Sequence, residues 1–283
     1  MKTGLIMEGG AMRGMFTCGV IDVFMEQGVA FDGAAGISAG ACFGCNFKSR
    51  QIGRPIRYNK RYSRDPRYCS LRSLLKTGDL YGADFCYREL PDVLDPFDRK
   101  AFAENPMAFY VGAADVDTGE IVYHECRDGG ERDMLWMRAS ASMPMVSRIV
   151  EVDGHRLLDG GIVDPVPYGF MDASGYDRNV YILTQPKGYR KGKTKALPLA
   201  RLLLHRTPKV AAAMEVRHEV YNRQMDEIDA RERRGEILVL RPPEALGIPR
   251  TEHDPEQLER VYQLGRREAE KALPAIRAFL AAP

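Results

Sequence analysis

Three short stretches of this 283-residue chain carry side chains and spacings suited to chemistry. The first is Gly36-Ile37-Ser38-Ala39-Gly40, a G-x-S-x-G pattern in which small residues flank a serine. The pattern suits a tight turn between a strand and a helix, because small neighbours let the two elements approach while the hydroxyl stays prominent. A helix opening at Ala39 would aim its unpaired N–H groups and positive end at Ser38, favouring the negative charge that builds up during acyl transfer. The second stretch is Gly9-Gly10-Ala11-Met12-Arg13-Gly14, whose amides could hold an anion, either a phosphate or the oxyanion of an ester under attack. A dinucleotide site would need G-x-G-x-x-G and an acid at the end of the second strand, where this chain has Ser38. A P-loop would need Gly-Lys-Ser/Thr, which this glycine loop lacks.

A nucleophilic serine requires a base. Among five histidines, His205 and His218 fall in charged helical surroundings and His253 in a polar loop, positions typical of the surface; His124 and His155 stay open as bases. The third stretch offers another base. In Leu157-Leu158-Asp159-Gly160-Gly161, two apolar strand residues deliver a carboxylate to a turn whose glycines let another backbone come close. Read alone, Asp-Gly-Gly is also an ordinary strand-ending turn.

In this order and at these distances, the glycine loop, the G-x-S-x-G and the Asp-Gly-Gly together resemble the patatin-like phospholipase family over about residues 4 to 185. Ala139-Ser140-Ala141-Ser142-Met143-Pro144 also resembles the segment that precedes Asp-Gly-Gly in that family. The resemblance implies an α/β fold, a three-layer α/β/α sandwich on a mostly parallel central sheet. It implies a Ser-Asp dyad working without histidine, with Ser38 as nucleophile and Asp159 as general base. The oxyanion or anion site would be built from Gly9, Gly10, Ala11, Arg13, Gly14 and Ala39, with Gly36, Gly40, Gly160 and Gly161 shaping the turns. The implied activity is lipid acyl hydrolysis of phospholipase A or esterase type, through an acyl-enzyme, with no metal and no organic cofactor. Two departures stand out. The family usually has a third consecutive glycine where this chain has Ala11, a change that keeps the amide donor provided Ala11 does not need positive φ. The family often has asparagine where this chain has Asp164 before Pro165. Alternatives on the same residues are acyl transfer to an alcohol or thiol, a Ser-His hydrolase using His124 or His155, and a lipid-binding module without turnover.

The elements that must position these residues follow from apolar patterning. Leu5 to Met7 reads as a buried strand, followed by a helix with Cys18, Ile21, Val23, Phe24 and Met25 on its apolar face and Gly28 as its stop. Phe31 to Ile37 reads as a second strand ending at Ser38, which makes a β-α-β-turn-α unit and favours a parallel sheet. Residues 48 to 100 are expected to form a cap of short helices and loops. Met107 to Ala113 and Glu120 to His124 read as strands about a turn at Asp117 to Gly119, Arg132 to Ser142 as a helix, and Arg148 to Val152 with Arg156 to Leu158 as a hairpin about Asp153-Gly154. Val180 to Thr184 and Ile237 to Leu240 read as strands, and Ala211 to Arg234 and Pro255 to Leu280 as helices. No linker divides the chain, so residues 1–283 are expected to form one domain, with 186–283 as a helical extension completing the fold.

Composition bounds the rest. Hydrophobic residues at 45% and charged residues at 28% fit a globular chain with a large core and argue against disorder. No run approaches the roughly 20 apolar residues that span a bilayer, and the N-terminal residues meet Glu8 before a signal-type apolar region develops, so a cytoplasmic protein is expected. Six scattered cysteines fit buried thiols, and the one CxxC, Cys42 with Cys45, has no second pair at zinc spacing. The formal net charge is +2, yet Lys48 to Lys76 holds ten Lys/Arg against Asp65 alone, and Lys187 to Lys209 holds eight with no acid. Both runs also carry tyrosines or leucines, a mixture suited to peripheral contact with an anionic membrane surface such as the inner membrane face. The partner expected is a lipid or other ester; no nucleic acid is expected, and oligomeric state is left open.

Overall fold

The computed structural model describes residues 1–194 and 197–282; Lys195, Ala196 and Pro283, the first two within the second basic run, lie outside the described residues. Its strands are β1 (Lys2–Met7), β2 (Gly33–Ile37), β3 (Ala108–Asp115), β4 (Ile121–Cys126), β5 (Val150–Val152), β6 (His155–Asp159), β7 (Tyr176–Ile182) and β8 (Leu238–Leu240). The helices are α1 (Met15–Glu26), α2 (Ala39–Lys48), α3 (Arg54–Tyr62), α4 (Leu71–Thr77), α5 (Arg99–Glu104), α6 (Glu131–Ser140), α7 (Tyr168–Ala173), α8 (Leu197–Leu203), α9 (Pro208–Arg233) and α10 (Pro255–Ala281). All eight strands belong to one sheet.

Five of them, in the order β3-β2-β1-β7-β8, pair in parallel, as continuous apolar runs such as Leu5-Ile6-Met7 require when both faces are covered. Side chains alternate between the faces. Leu5, Met7, Val180 and Ile182 join one apolar cluster with α1, α2 and α10, while Ile6, Tyr181 and Leu183 join another with α7 and α9. That alternation is what makes three layers. The remaining pairings are antiparallel: short turns join β3 to β4 and β5 to β6, while α6 lies between β4 and β5 and brings β6 back against β3. The β5–β6 turn has positive φ at both Asp153 (54°) and Gly154 (79°), the requirement of the tightest hairpin turns that the Asp-Gly pair signalled.

The chain beyond residue 186 is woven into the same sheet: β8 pairs with β7, and α10 crosses α1 with backbone almost touching backbone. A Cβ on Gly19 would stand 2.1 Å from the Tyr262 carbonyl oxygen, and one on Gly265 2.1 Å from that of Phe16, so both positions exclude any larger residue. Several expected boundaries move. The strand expected at Val180 to Thr184 begins at Tyr176 and ends at Ile182, the helix expected from Ala211 begins at Pro208, and α7 and α8 had no counterpart in the apolar pattern. The cap region contains α3, α4, α5 and a wide helical turn over Phe85–Leu94, broadened where Pro91 lacks an N–H to donate. No described helix is long and apolar enough to cross a membrane.

Candidate active site

One strand, β3, holds both members of the expected dyad. Its residues up to Gly112 pair with β2, ending at Ile37↔Gly112, and its next residue, Ala113, pairs with Asp159 of β6. Since β4 occupies the opposite edge of β3 throughout, β2 and β6 lie end to end along the same edge. The chain leaves β2 at Ser38 where β6 delivers Asp159. The Ser38 hydroxyl donates to Asp159 Oδ2 at 2.8 Å, and the Gly161 amide donates to Asp159 Oδ1 at 2.7 Å, fixing the carboxylate from both sides. Neither histidine considered as a base takes part: His124 Nε2 pairs with Asp133 at 2.8 Å and its ring stacks on Trp136, and His155 Nδ1 pairs with Asp115 at 2.8 Å.

Ser38 has φ 55° and ψ −118°, a conformation that a side chain other than glycine adopts only at a cost of about 1–3 kcal/mol. The tether that holds it is Ser140, fully buried at the end of α6. Its Oγ accepts the Ser38 amide at 2.8 Å and donates to the Gly112 carbonyl at 2.6 Å, tying the elbow to β3. The flanking glycines serve close approach, as expected: a Cβ on Gly36 would stand 2.4 Å from the Gly40 carbonyl, one on Gly40 2.3 Å from the Met7 oxygen, and one on Gly160 2.4 Å from the Gly112 oxygen. Gly161 sits against the Asp159 carboxylate, and Gly14 packs on Phe43 and Ala39.

The glycine loop lies directly over the serine, with only 3.0 Å between Ser38 Cβ and the position a Gly9 Cβ would take. Its amides are not equivalent. That of Gly9 reaches the Pro165 carbonyl at 3.5 Å, and that of Met12 the Arg250 carbonyl at 3.4 Å, whereas those of Gly10 and Ala11 have no acceptor among the described residues. Ala39, the first residue of α2, likewise has an unpaired amide. Ala11 has φ 49°, so the proviso attached to it fails: it takes the left-handed conformation and retains its donor under strain. At the other departure, Asp164 accepts Tyr123 Oη at 2.5 Å and Gln224 Nε2 at 2.6 Å, and burial pushes its carboxyl up.

Burial also raises the Asp159 carboxyl, while the charge of Arg217, the Ser38 hydroxyl and the Gly161 amide pull it back. Arg217, on α9, donates through Nε to the Gly161 carbonyl. Sequence patterning had placed neither Arg217 nor Ser140 in the site; Ser140 lay within a stretch noted before Asp-Gly-Gly, but nothing marked Arg217. Beside Ser38 opens an apolar cavity of about 110 Å³, covered by the cap and lined by Cys42, Tyr58, Tyr87, Leu90, Met134 and Met137. All six cysteines are free thiols. His124, Cys126 and Asp133 present ligand-type atoms within 4.8 Å of one another, but Asp133 already accepts His124 and three backbone amides of residues 127–129, a set that explains the cluster as support for a turn.

The first basic run is neutralised only in part: Arg50, Arg61, Arg64, Arg72 and Lys76 stay exposed without an ion pair among the described residues, and the other five cations are buried or paired. Lys48 is buried and donates to the carbonyls of Asn105 and Met107, Arg54 is buried against Asp95, and Arg57, Lys60 and Arg67 pair with Asp95, Glu259, and Asp65 with Glu89. These acids come from elsewhere in the chain, apart from Asp65, which is why local counting overstated the patch.

A family model described as patatin-like phospholipase matches residues 5–172, and one described as a domain of unknown function, DUF6363, matches residues 207–281. Over 191 residues the chain is 30% identical to the uncharacterized protein YjjU of Escherichia coli, covering 65% of this chain and 52% of that one. Over 194 residues it is 28% identical to an uncharacterized NTE family protein of Mycobacterium bovis, covering 69% and 51%. The chain thus spans about half the length of the curated relatives it matches. The crystal structure of VipD from Legionella pneumophila superposes with a TM-score of 0.47 and 12% identity, over 97% of this chain and 67% of that one.

Proposed function

The chain belongs to the patatin-like phospholipase family, and from that premise we propose that it is a serine acyl hydrolase that cleaves carboxylic esters of lipids. Asp159 removes the Ser38 proton along their 2.8 Å hydrogen bond as the hydroxyl oxygen attacks the ester carbonyl. The unpaired amides of Gly10, Ala11 and Ala39 receive the oxyanion, each such donor contributing on the order of 3 kcal/mol. Collapse of the tetrahedral intermediate returns the proton to the leaving alcohol, and water attacking the acyl-enzyme, deprotonated by the same carboxylate, releases the acid. The apolar cavity beside Ser38 takes the acyl chain. The observation that carries this reading is the Ser38–Asp159 hydrogen bond beneath a loop with unpaired amides.

Hydrolysis of a p-nitrophenyl ester tests it. Ser38→Ala and Asp159→Asn are each expected to abolish turnover while leaving the protein folded, and turnover retained in either removes the dyad. Leu71 and Leu75 on α4 stand exposed beside Arg72 and Lys76, and Leu199, Leu202 and Leu203 on α8 stand exposed as well, which supports peripheral contact with an anionic bilayer. Co-sedimentation with liposomes should then rise with their phosphatidylglycerol content, and indifference to it removes that contact.

A further inference from the structure

Four cations converge on the rim of the site from four separate segments, and each is attached to the backbone or side chains that frame Ser38. Arg13 stands in the glycine loop itself, with its Nε buried and without a partner. Arg217 is bonded to the Gly161 carbonyl at the Asp159 turn. Arg250 is latched to the loop by its carbonyl, which accepts the Met12 amide at 3.4 Å and Tyr81 Oη at 3.1 Å. Lys191 lies over the ring of Tyr221 at 4.5 Å, and Tyr221 in turn donates at 2.9 Å to Glu8, the residue preceding the loop.

None of the four has a carboxylate within ion-pair distance among the described residues, in contrast to Arg201, Arg231, Arg234 and Arg241, which are all paired. Burial, with the charges of Arg217, Arg250 and Arg13 against the pull of Glu8, brings Lys191 down to about 7, and burial with the charges of Arg250 and Arg13 lowers Arg217. The carboxylates that face the group are Glu8 and Asp159. Glu8 is taken up by the Thr184 amide and hydroxyl and by Tyr221, and Asp159 by Ser38 and Gly161. Three guanidinium charges with Lys191 beside them, held without counter-charges of their own, suit an anion, whose arrival would favour the protonated form of Lys191. The four do not line the apolar cavity, so the two features meet the serine separately.

We propose that Arg13, Lys191, Arg217 and Arg250 form a subsite for an anionic phosphate group carried on the alcohol half of the ester. On the hydrolase reading, with which this proposal stands, the residues beyond the lipase-type match, 187–250, then select the headgroup and favour esters with a net negative charge over neutral ones. A free phosphate presents the same oxygens and would occupy the same place.

Two readouts separate the sources and keep the subsite distinct from the hydrolase reading. The first is kcat/KM on a 1-acylglycerol 3-phosphate against the monoacylglycerol of the same chain length, both below micelle formation. The wild type should favour the phosphate ester by about tenfold or more, and Lys191→Gln and Arg250→Gln should each cut that ratio severalfold. The second is thermal stabilisation by glycerol 3-phosphate and by inorganic phosphate, which does not depend on turnover and should weaken in both variants. Stabilisation without hydrolysis of either ester upholds the subsite and removes the hydrolase. Stabilisation by inorganic phosphate without substrate preference upholds the phosphate site and assigns it to the free ion. Hydrolysis of both esters with equal efficiency and no stabilisation by either phosphate overturns the proposal. Arg250 is exposed, so its variant remains informative should Lys191→Gln fold poorly.

Discussion

Replacing Ser140 by alanine separates the tether of the Ser38 turn from Ser38 itself, the proposed nucleophile. Ser140 touches no reacting atom, yet its buried Oγ holds the Ser38 amide at 2.8 Å and the Gly112 carbonyl at 2.6 Å. Alanine leaves the amide of Ser38 without its acceptor, at about 1–3 kcal/mol, and removes one bond from the Gly112 carbonyl, at about 1 kcal/mol. A destabilisation of about 2–4 kcal/mol follows, or roughly 5–10 °C in Tm for a chain of this size. Without the tether the strained φ of 55° at Ser38 relaxes, and a displacement of about 1 Å at the hydroxyl lowers turnover by about a hundredfold. Calorimetry and ester hydrolysis on the purified variant read both effects. Ser142→Ala is the control, since the Ser142 Oγ only bonds back to the Arg138 carbonyl of its own helix, and it should cost less than about 1 kcal/mol. A Ser140→Ala protein with wild-type Tm and turnover would refute the reasoning.

Two further outcomes follow from strain and burial. Ala11→Gly removes left-handed strain of about 1–2 kcal/mol and adds unfolded-chain entropy of about 0.4–1 kcal/mol, so Tm should rise slightly with turnover kept, and a fall in Tm would contradict the φ of 49°. Asp22, fully buried, accepts Tyr262 Oη at 2.7 Å and the Gly53 amide at 3.0 Å, and burial pushes its carboxyl from 3.8 to about 6. Between those values the folded chain binds more protons than the unfolded one, so stability falls as pH rises through about 4 to 6, by up to about 3 kcal/mol. The Tm difference between Asp22→Asn and wild type should therefore move in favour of asparagine from pH 4 to pH 8, and a difference independent of pH would refute the assignment.

How much of this was legible in the sequence depends on how local each feature is. The buried strands, the elbow and the Asp-Gly-Gly turn were readable because apolar runs, small residues and turn residues act within a few positions. The meeting of Ser38 with Asp159 was not a local fact; it is set by Ile37↔Gly112 and Asp159↔Ala113 on β3, and family likeness supplied it before the register did. Ser140 was obscure because a serine near a helix end usually bonds its own helix, as Ser142 does. The first basic run read as more uniformly basic than it is for a similar reason, since Asp95 and Glu259 pair with Arg57 and Lys60 from 38 and 199 positions away. Arg217 and Lys191 resembled ordinary charges of a solvated helix and loop. Only the crossing of α9 over the Asp159 turn draws Arg217 to the serine. The antiparallel half of the sheet was visible as hairpin turns, but not its place at the end of β2.

The most direct test of the dyad is labelling by a fluorophosphonate, with peptide mapping of the modified residue and the labelling rate measured for wild type, Ser38→Ala and Asp159→Asn. Ser38 is expected to be the modified residue, with no label in Ser38→Ala and a labelling rate at least about a hundredfold lower in Asp159→Asn. Modification of another serine, or an unchanged rate without the Asp159 carboxylate, would contradict the account.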